Sequence, residues 1–282
     1  MKFSYVDGAI KDFEAAITPE TKMFWIESPT NPTLKVYDII KLSVMAKLNH
    51  ITVTVDNTFA SPFLQQPLSL GSDIVIHSTT KYISGHSDIV GGAVILNDEL
   101  IYTRLKFIQN AIGSIPGPFD SWLTLRGIKT LALRMRQHQQ NAFALAQLLE
   151  NHDAVEHVFY PGLPTSSYYV LAKSQMKGGG GMLSFRLRNA NRNNINIFFS
   201  GLKIFSLAES LGGVESLICY PAMMTHGSIP LENRLKIGVT DNLIRLSPGI
   251  EDTDDLLNDL DQGLKNFAAI CTNSKQMHSN PA

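Results

Sequence analysis

A single lysine stands among hydroxyl side chains in the stretch DIVIHSTTKYISGHSD, residues 73–88. An apolar run begins the stretch, and Ser78, Thr79 and Thr80 lie directly before Lys81. Burial removes hydration from a lysine and lowers its pKa, which is unfavourable for a purely structural residue. The same lowered pKa supplies the neutral amine that forms a Schiff base with an aldehyde. The alternative is an ion-paired lysine, or one that reaches solvent along its aliphatic stem.

Asp56 directly follows another apolar run, ITVTV at residues 51–55. A buried carboxylate needs a cationic partner to stay ionised, and a protonated pyridine nitrogen is such a partner. The hydroxyls of Ser78 and Thr80 lie within one turn of Lys81 and can donate to a phosphate group. A lysine, a buried aspartate and phosphate donors are the groups that pyridoxal 5'-phosphate (PLP) requires, whose ring accepts electrons from a substrate carbanion. These residues therefore favour a PLP site.

Three predicted strands position these residues. The strands cover residues 23–27, 51–55 and 73–76, and a helix is predicted over residues 36–50. Strands that alternate with crossover segments indicate an open α/β sheet, whose ligand site lies at the carboxyl ends of its strands. The first strand leads to Ser28 and Asn31, the second to Asp56, and the third to Ser78 and Lys81. We therefore expect these strand ends to meet.

A second domain of α+β structure is predicted to begin near residue 128. It opens with a long amphipathic helix over residues 131–152, and it closes with the acidic amphipathic helix DTDDLLNDLDQGLKNF. The predicted domains are therefore residues 1–127 and residues 128–282. The residues after about Ala269 are expected to be disordered.

The composition argues against several classes of protein. Of the 282 residues 44% are hydrophobic and 17% charged, and the formal net charge is −1 without a basic block, so no nucleic-acid surface is expected. No apolar run approaches the roughly 18 residues of a membrane span, and the N-terminus has no signal-peptide pattern. Cys219 and Cys271 are too few for a disulfide framework, which predicts a cytoplasmic setting. No histidine pair has metal-ligand spacing, so no metal is predicted.

Five motifs, taken in order, resemble the PLP-dependent enzymes of cysteine and methionine metabolism. The motifs are ESPTNPT, VDNTF, HSTTKYISGHSDIVGG, SLAESLGGVESL with MTH, and IRLSPGIED. The resemblance runs from about Phe3 to Phe267. It implies the aspartate-aminotransferase-like fold (fold type I), with a mostly parallel large domain, here partial, and a smaller α+β C-terminal domain. It also implies a small amino-acid substrate and a homo-oligomer, a tetramer in the family.

The resemblance assigns a role to each cofactor residue. Lys81 would bind PLP covalently and shuttle protons, and Asp56 would pair with the pyridine nitrogen. Ser78 and Thr80 would hold the phosphate. Asn31 would lie beside the cofactor ring or the substrate carboxylate.

The resemblance also assigns substrate residues. Arg245 would grip the substrate α-carboxylate, which suits a bidentate guanidinium, and Ser210 would support both that carboxylate and Lys81. Glu209 would bind the distal ammonium of cystathionine, which an enzyme for an apolar methylthio substrate does not need. A solvent-facing Glu209 is the alternative.

The expected function is that of a cystathionine γ-lyase-like carbon–sulfur lyase, acting in transsulfuration. Two alternatives remain open. The first is a cystathionine γ-synthase, a transferase that carries out γ-replacement on an O-acylhomoserine. The second is a non-catalytic fragment, because the family's N-terminal portion, with its phosphate loop and its ring-stacking tyrosine, has no counterpart in this sequence.

Overall fold

The computed structural model describes the backbone of residues 1–278 and the side chains of residues 1–269. The strands in this part of the chain are β1 (Met23–Glu27), β2 (Thr52–Asp56), β3 (Ile74–Ser78), β4 (Gly92–Leu96), β5 (Val155–Phe159), β6 (Leu183–Leu187), β7 (Ser206–Leu207), β8 (Leu217–Cys219) and β9 (Leu243–Ser247). The helices are α1 (Ile10–Ala16), α2 (Ile39–Leu48), α3 (Ser61–Leu64), α4 (Glu99–Ile112), α5 (Pro118–Ile128), α6 (Leu131–Glu150), α7 (Tyr169–Gln175), α8 (Ile195–Ser200), α9 (Leu231–Lys236) and α10 (Thr253–His278). A 3₁₀ turn spans Pro67–Leu70, and a π-helical turn spans Thr79–Ile83.

The first sheet has the strand order β1-β2-β3-β4, and β1, β2 and β3 are parallel. Helix α2 packs Leu42 against the sheet residues Val53 and Val55. The helix begins at Asp38, whose carboxylate accepts a hydrogen bond from the Lys41 backbone N–H at 3.0 Å. Because the three strands run in one direction, their carboxyl ends lie at the same edge of the sheet.

β4 runs antiparallel to β3 and closes this sheet on one side. The sequence analysis did not predict this strand. On the face of the sheet that bears Trp25 and Val94, the edge strands β1 and β4 are exposed, with Trp25 61% exposed, whereas Thr54 in the middle of the same face is buried.

The second sheet has the order β5-β6-β9-β8-β7 and is antiparallel except between β7 and β8. Helices α6, α8 and α10 cover it, and Leu145, Phe198 and Leu260 of these helices are fully buried beside Phe185 and Ile244 of the sheet. This sheet presents Arg245 from its central strand, β9.

The predicted α/β class and the three predicted strands at the site are confirmed by this architecture. The strands of the first sheet all precede residue 128 in the sequence, and those of the second sheet all follow it. A domain boundary near residue 128 remains a prediction. The expected disorder after Ala269 differs from the structure, which continues helix α10 through His278. Residues 279–282 lie outside the described part. No helix within residues 1–278 is long and apolar enough to cross a membrane.

Helix α4 carries an apolar side that is mostly exposed in the described part of the chain. None of its residues is buried, and Phe107 is 73% exposed. We define the α4–α5 apolar surface by its exposed residues Phe107, Ile112, Ile115, Phe119 and Trp122. Exposed apolar patches of this kind mark sites of association with other molecules.

Gly127 of α5 packs against the backbone that follows Lys81, and a Cβ atom at this position would overlap the Ser84 carbonyl oxygen. We expect Gly127→Ala to lower the free energy of unfolding by about 1–3 kcal/mol, because overpacking outweighs the gain in helix propensity. Gly117→Ala, at the N-cap of the same helix, meets only the flexible Asp120 carboxylate and should cost less than about 1 kcal/mol. Denaturant titration followed by circular dichroism measures both losses. Equal losses would contradict the packing argument.

Candidate active site

The carboxyl ends of β1, β2 and β3 meet at one edge of the first sheet. Glu27 ends β1 and is the register partner of Asp56, which ends β2 and pairs in turn with Ile76 of β3. The Ser28 N–H donates a hydrogen bond to the Asp56 carbonyl at 3.3 Å. Asp56 and Ser78, both predicted site residues, therefore end adjacent strands.

Lys81 lies in the π-helical turn after β3, where its backbone leaves the helical path (φ −90°, ψ −130°). Its Nζ donates a hydrogen bond to Ser210 Oγ at 2.9 Å. Burial lowers the pKa of the Lys81 amine, and the positive charge of Arg245 lowers it further, while Glu209 opposes the shift. The structure thus provides the more easily deprotonated amine that the sequence predicts.

Arg245 of β9 is a buried cation, only 2% exposed, and burial lowers its pKa. Its Nη1 donates to Asn31 Oδ1 at 2.9 Å, and its Nη2 donates to the Ser210 carbonyl at 2.8 Å. Its Nε has no hydrogen-bond partner within the described residues. A buried guanidinium with an unused donor is suited to a carboxylate, which accepts two N–H groups at once.

Ser210 joins the lysine and the arginine into one cluster. Its hydroxyl accepts from Lys81 and its carbonyl accepts from Arg245. Ser210 has a positive φ of 80°, a conformation that is strained for a residue with a side chain. The fold thus brings together Lys81, Ser210, Arg245 and Asn31, all predicted from sequence, although Asn31 and Arg245 are 214 positions apart.

The two predicted phosphate donors differ in their hydrogen bonds. The Thr80 hydroxyl accepts from the Gly91 N–H at 2.9 Å and donates to the Gly91 carbonyl at 3.3 Å. The Ser78 N–H donates to Thr58 Oγ1 at 2.9 Å. The Ser78 hydroxyl has no hydrogen-bond partner in the described part of the chain, and is therefore available. The phosphate role of both residues remains a prediction.

Asp56 shares its edge of the sheet with a second carboxyl group. Burial raises the pKa of Glu27 to about 7, and the negative charge of Asp56 raises it as well. The Thr58 N–H donates to Asp56 Oδ1 at 3.0 Å. Near neutral pH, Glu27 is therefore partly protonated. A protonated pyridine nitrogen suits a carboxyl group at this strand end.

Glu209 lies exposed at the end of the short segment that follows β7. Its carboxylate acts on Lys81 through its charge, as described above. The structure places it beside the cluster without enclosing it. Its predicted role toward a distal ammonium group remains a prediction.

The sequence analysis missed a buried amide network under the strand ends. Gln65 Nε2 donates to the Ser28 carbonyl at 2.8 Å and to Asn57 Oδ1 at 2.9 Å, and Gln175 Nε2 donates to Gln65 Oε1 at 3.0 Å. Glu27 was missed too, although a glutamate that ends a strand beside Asp56 was a readable signal. Gln65 and Gln175 gave no signal in the sequence, because the groups that they bind are distant in sequence.

The residues of this site fit PLP by their chemistry. Lys81 supplies an amine of lowered pKa, Asp56 supplies a carboxyl group at the adjoining strand end, and Ser78 supplies a hydroxyl that no described residue uses. Among the described residues, no group of three or more His, Cys, Asp or Glu side chains is placed to hold a metal ion.

Comparisons with known proteins agree with this chemistry. Residues 1–265 match the family model described as "Cys/Met metabolism PLP-dependent enzyme". The chain is 52% identical over 265 residues to cystathionine gamma-lyase of Dictyostelium discoideum, covering 94% of this chain and 68% of that protein.

Two solved structures share the fold. One is cystathionine gamma-lyase of Lactobacillus plantarum complexed with L-serine, with a TM-score of 0.92, 47% identity, and coverage of 95% of this chain and 70% of that chain. The other is cystathionine gamma synthase of Xanthomonas oryzae pv. oryzae in complex with cystathionine, with a TM-score of 0.86, 49% identity, and coverage of 88% and 64%. The chain thus spans about two thirds of the length of the proteins it matches. It belongs to the family of PLP-dependent enzymes of cysteine and methionine metabolism.

Proposed function

We propose that the chain acts as a PLP-dependent carbon–sulfur lyase that converts cystathionine and water into cysteine, 2-oxobutanoate and ammonia. The observation that carries this proposal is the shared contact of Lys81 and Arg245 with Ser210. An amino acid whose carboxylate binds Arg245 presents its α-carbon within reach of the Lys81 amine. The similarity to named cystathionine gamma-lyases supports the choice of reaction.

The cofactor residues would divide the binding of PLP among them. Lys81 would hold it covalently, Asp56 would pair with the ring nitrogen, and Ser78 would donate to the phosphate. Thr80 would donate to it as well, in exchange for its 3.3 Å hydrogen bond to the Gly91 carbonyl. PLP supplies an electron-accepting ring that stabilises the negative charge that develops at the substrate α-carbon.

The remaining chemistry belongs to the side chains. Arg245 orients the substrate by its carboxylate, and Asn31 fixes the guanidinium through Nη1. The Lys81 Nζ removes the proton at Cα and then moves the protons at Cβ, on which departure of the γ-thiolate depends. Its lowered pKa makes the amine easier to deprotonate than an ordinary lysine, which suits it to accept a proton. Ser210 keeps the Nζ in place between these transfers.

Product analysis separates the lyase from the synthase. The purified protein is incubated with PLP and cystathionine, and in parallel with O-succinyl- or O-acetylhomoserine plus cysteine. The lyase releases cysteine and 2-oxobutanoate from cystathionine. Formation of cystathionine in the parallel reaction, without that release, would overturn the lyase in favour of the γ-synthase, which the similarity to the Xanthomonas protein favours as second candidate.

Glu209→Gln tests the distal end of the substrate. If the carboxylate binds the second ammonium of cystathionine, the change should raise the KM for cystathionine about tenfold, or roughly 1.4 kcal/mol, with little change in kcat. The KM for a γ-substrate without that ammonium should stay unchanged, which provides the control. An equal rise in KM for both substrates, or no change in either, would contradict binding of the distal ammonium by Glu209.

The α4–α5 apolar surface supports a second candidate function, a non-catalytic chain that works only in assembly with other subunits of this family. We also propose that the active protein is a homo-oligomer, a tetramer as in the family, located in the cytoplasm; the apolar surface supports only the association of subunits. Light scattering gives the mass of the purified chain, and its absorbance with PLP reports a borohydride-reducible chromophore. A colourless aggregate that co-expression with a family subunit renders soluble would favour the assembly role. A yellow, active oligomer would exclude it.

A further inference from the structure

Helix α6 places three polar side chains on its buried face. Arg134, His138 and Asn141 are separated by four and three positions, which puts them on one side of a helix. Arg134 is 4% exposed, and the other two are fully buried. Buried polar groups are unfavourable unless they are hydrogen-bonded. All three bind backbone carbonyls that belong to segments distant in sequence.

Arg134 binds the peptide that directly follows Lys81. Its Nη1 donates to the Tyr82 carbonyl at 2.6 Å, and its Nη2 donates to the Ile83 carbonyl at 3.2 Å. Nη2 also donates to the Gly127 carbonyl at 2.8 Å. No carboxylate in the described part of the chain forms an ion pair with it. Its Nε donates to the Thr130 hydroxyl at 3.1 Å. The guanidinium therefore binds three backbone carbonyls and one hydroxyl, and no anion within the described residues.

The surroundings leave room for the guanidinium and little else. A Cβ atom at Gly85 would overlap Arg134 Nη1, and one at Gly127 would overlap the Ser84 carbonyl. The backbone departs from helical angles at Lys81 itself. Arg134 therefore holds the backbone of the turn that carries Lys81, while Ser210 holds the amine at the end of the Lys81 side chain.

The other end of the polar stripe binds the segment that follows Arg245. Asn141 Nδ2 donates to the carbonyls of Gly249 and Glu251, each at 3.0 Å. His138 Nδ1 lies 2.8 Å from the Pro248 carbonyl. This segment continues directly from β9. One helix thus contacts the chain on the carboxyl side of both Lys81 and Arg245.

We propose that Arg134 is a positioning residue for Lys81, and that α6 acts as a spacer whose Arg134 and Asn141 set the separation between the Lys81 amine and the Arg245 guanidinium. An amino-acid substrate must bridge these two groups, and that part of the inference rests on the proposed function. The placement of the amine does not, since it concerns the protein without cofactor or substrate.

The test follows the reactivity of Lys81 in the PLP-free protein. Acetic anhydride labels neutral amines, and peptide mass spectrometry reports the labelling of Lys81 between pH 6 and pH 11. The groups that face the amine are Ser210, Arg245 and Glu209, and they remain in every variant. The variants are Arg134→Gln, the conservative Arg134→Lys, and Asn141→Ala as a matched change on the same buried face.

We expect Arg134→Gln to shift the midpoint of Lys81 labelling upward by about one pH unit, which is a roughly tenfold loss of labelling rate near pH 8. Without the hydrogen bonds from Arg134 to the backbone, the turn relaxes, and the Lys81 amine regains hydration and moves away from Arg245. Arg134→Lys should show a smaller shift than Arg134→Gln, because one ammonium can still bind the carbonyls. Asn141→Ala, which loosens the Arg245 end of the spacer, should shift the Lys81 midpoint clearly less than Arg134→Gln does, and should raise the KM for cystathionine.

Two results would overturn the proposal. One is an unshifted Lys81 midpoint in a folded Arg134→Gln protein, or in Arg134→Lys if the glutamine variant does not fold. The other is an equal shift in Asn141→Ala, which would indicate general loosening. Circular dichroism establishes folding in each case. If the unchanged protein fails to cleave cystathionine while Arg134→Gln still shifts the Lys81 midpoint, the result would count against the proposed function and leave the positioning role intact.

Discussion

Lys81→Ala lowers kcat with cystathionine by about 10⁴-fold, the largest effect expected for any substitution in this chain. The change removes the amine that both holds the cofactor and moves the protons at the substrate carbons. The chain has other lysines, but the one at this position has its pKa lowered by burial and by Arg245. Initial rates of 2-oxobutanoate release measure the loss.

A second measurement separates loss of the amine from loss of the fold. Borohydride treatment of the PLP-loaded protein should leave a mass increment on the Lys81 peptide, and the alanine variant should show none. Lys177→Ala, which changes an exposed lysine, should keep both the rate and the increment. A labelled lysine elsewhere, with activity retained in Lys81→Ala, would refute the assignment.

Arg245→Lys should raise the KM for cystathionine about 100-fold, or roughly 2.8 kcal/mol, with a smaller effect on kcat. A guanidinium can donate to Asn31, to Ser210 and to a carboxylate at the same time, because its five N–H groups form a fixed fork. An ammonium has three donors around a single atom and cannot span these acceptors. Steady-state kinetics over a wide concentration range give both parameters.

Arg186→Lys is the matched control for this change. Arg186 lies on the neighbouring strand β6, and its Nη2 donates to the Gly238 carbonyl at 3.0 Å. We expect its KM to stay within about twofold of the unchanged protein. A similar rise in both variants would mean that the effect comes from the sheet and not from carboxylate binding.

The sequence was sufficient to locate the residues whose type and position together limit their chemistry, and their roles stay predictions. Lys81 and Asp56 follow apolar runs at strand ends, and Arg245 sits inside an apolar strand, where a lone charge requires a purpose. The order of parallel strands then follows from general rules of α/β sheets. The motifs around these residues identify the family, which the comparisons confirm.

The parts that sequence did not predict depend on contacts across long separations. Arg134 binds backbone carbonyls, and a carbonyl carries no residue-specific signal. Gln65 and Gln175 meet across 110 positions, and their environment is fixed only when the strands assemble. Helix α4 is not among the predicted elements, and none of its residues is buried in the described part of the chain.

Because Arg245 and Lys81 lie close together, both in contact with Ser210, binding of a carboxylate and the proton affinity of the Lys81 amine are coupled. The cationic charge of Arg245 disfavours a proton on Lys81. A carboxylate that neutralises this charge raises the proton affinity of the amine at the moment when it must accept a proton from the substrate. Thermodynamic reciprocity requires the converse, so that a protonated Lys81 tightens the hold on the carboxylate until the proton has been passed on.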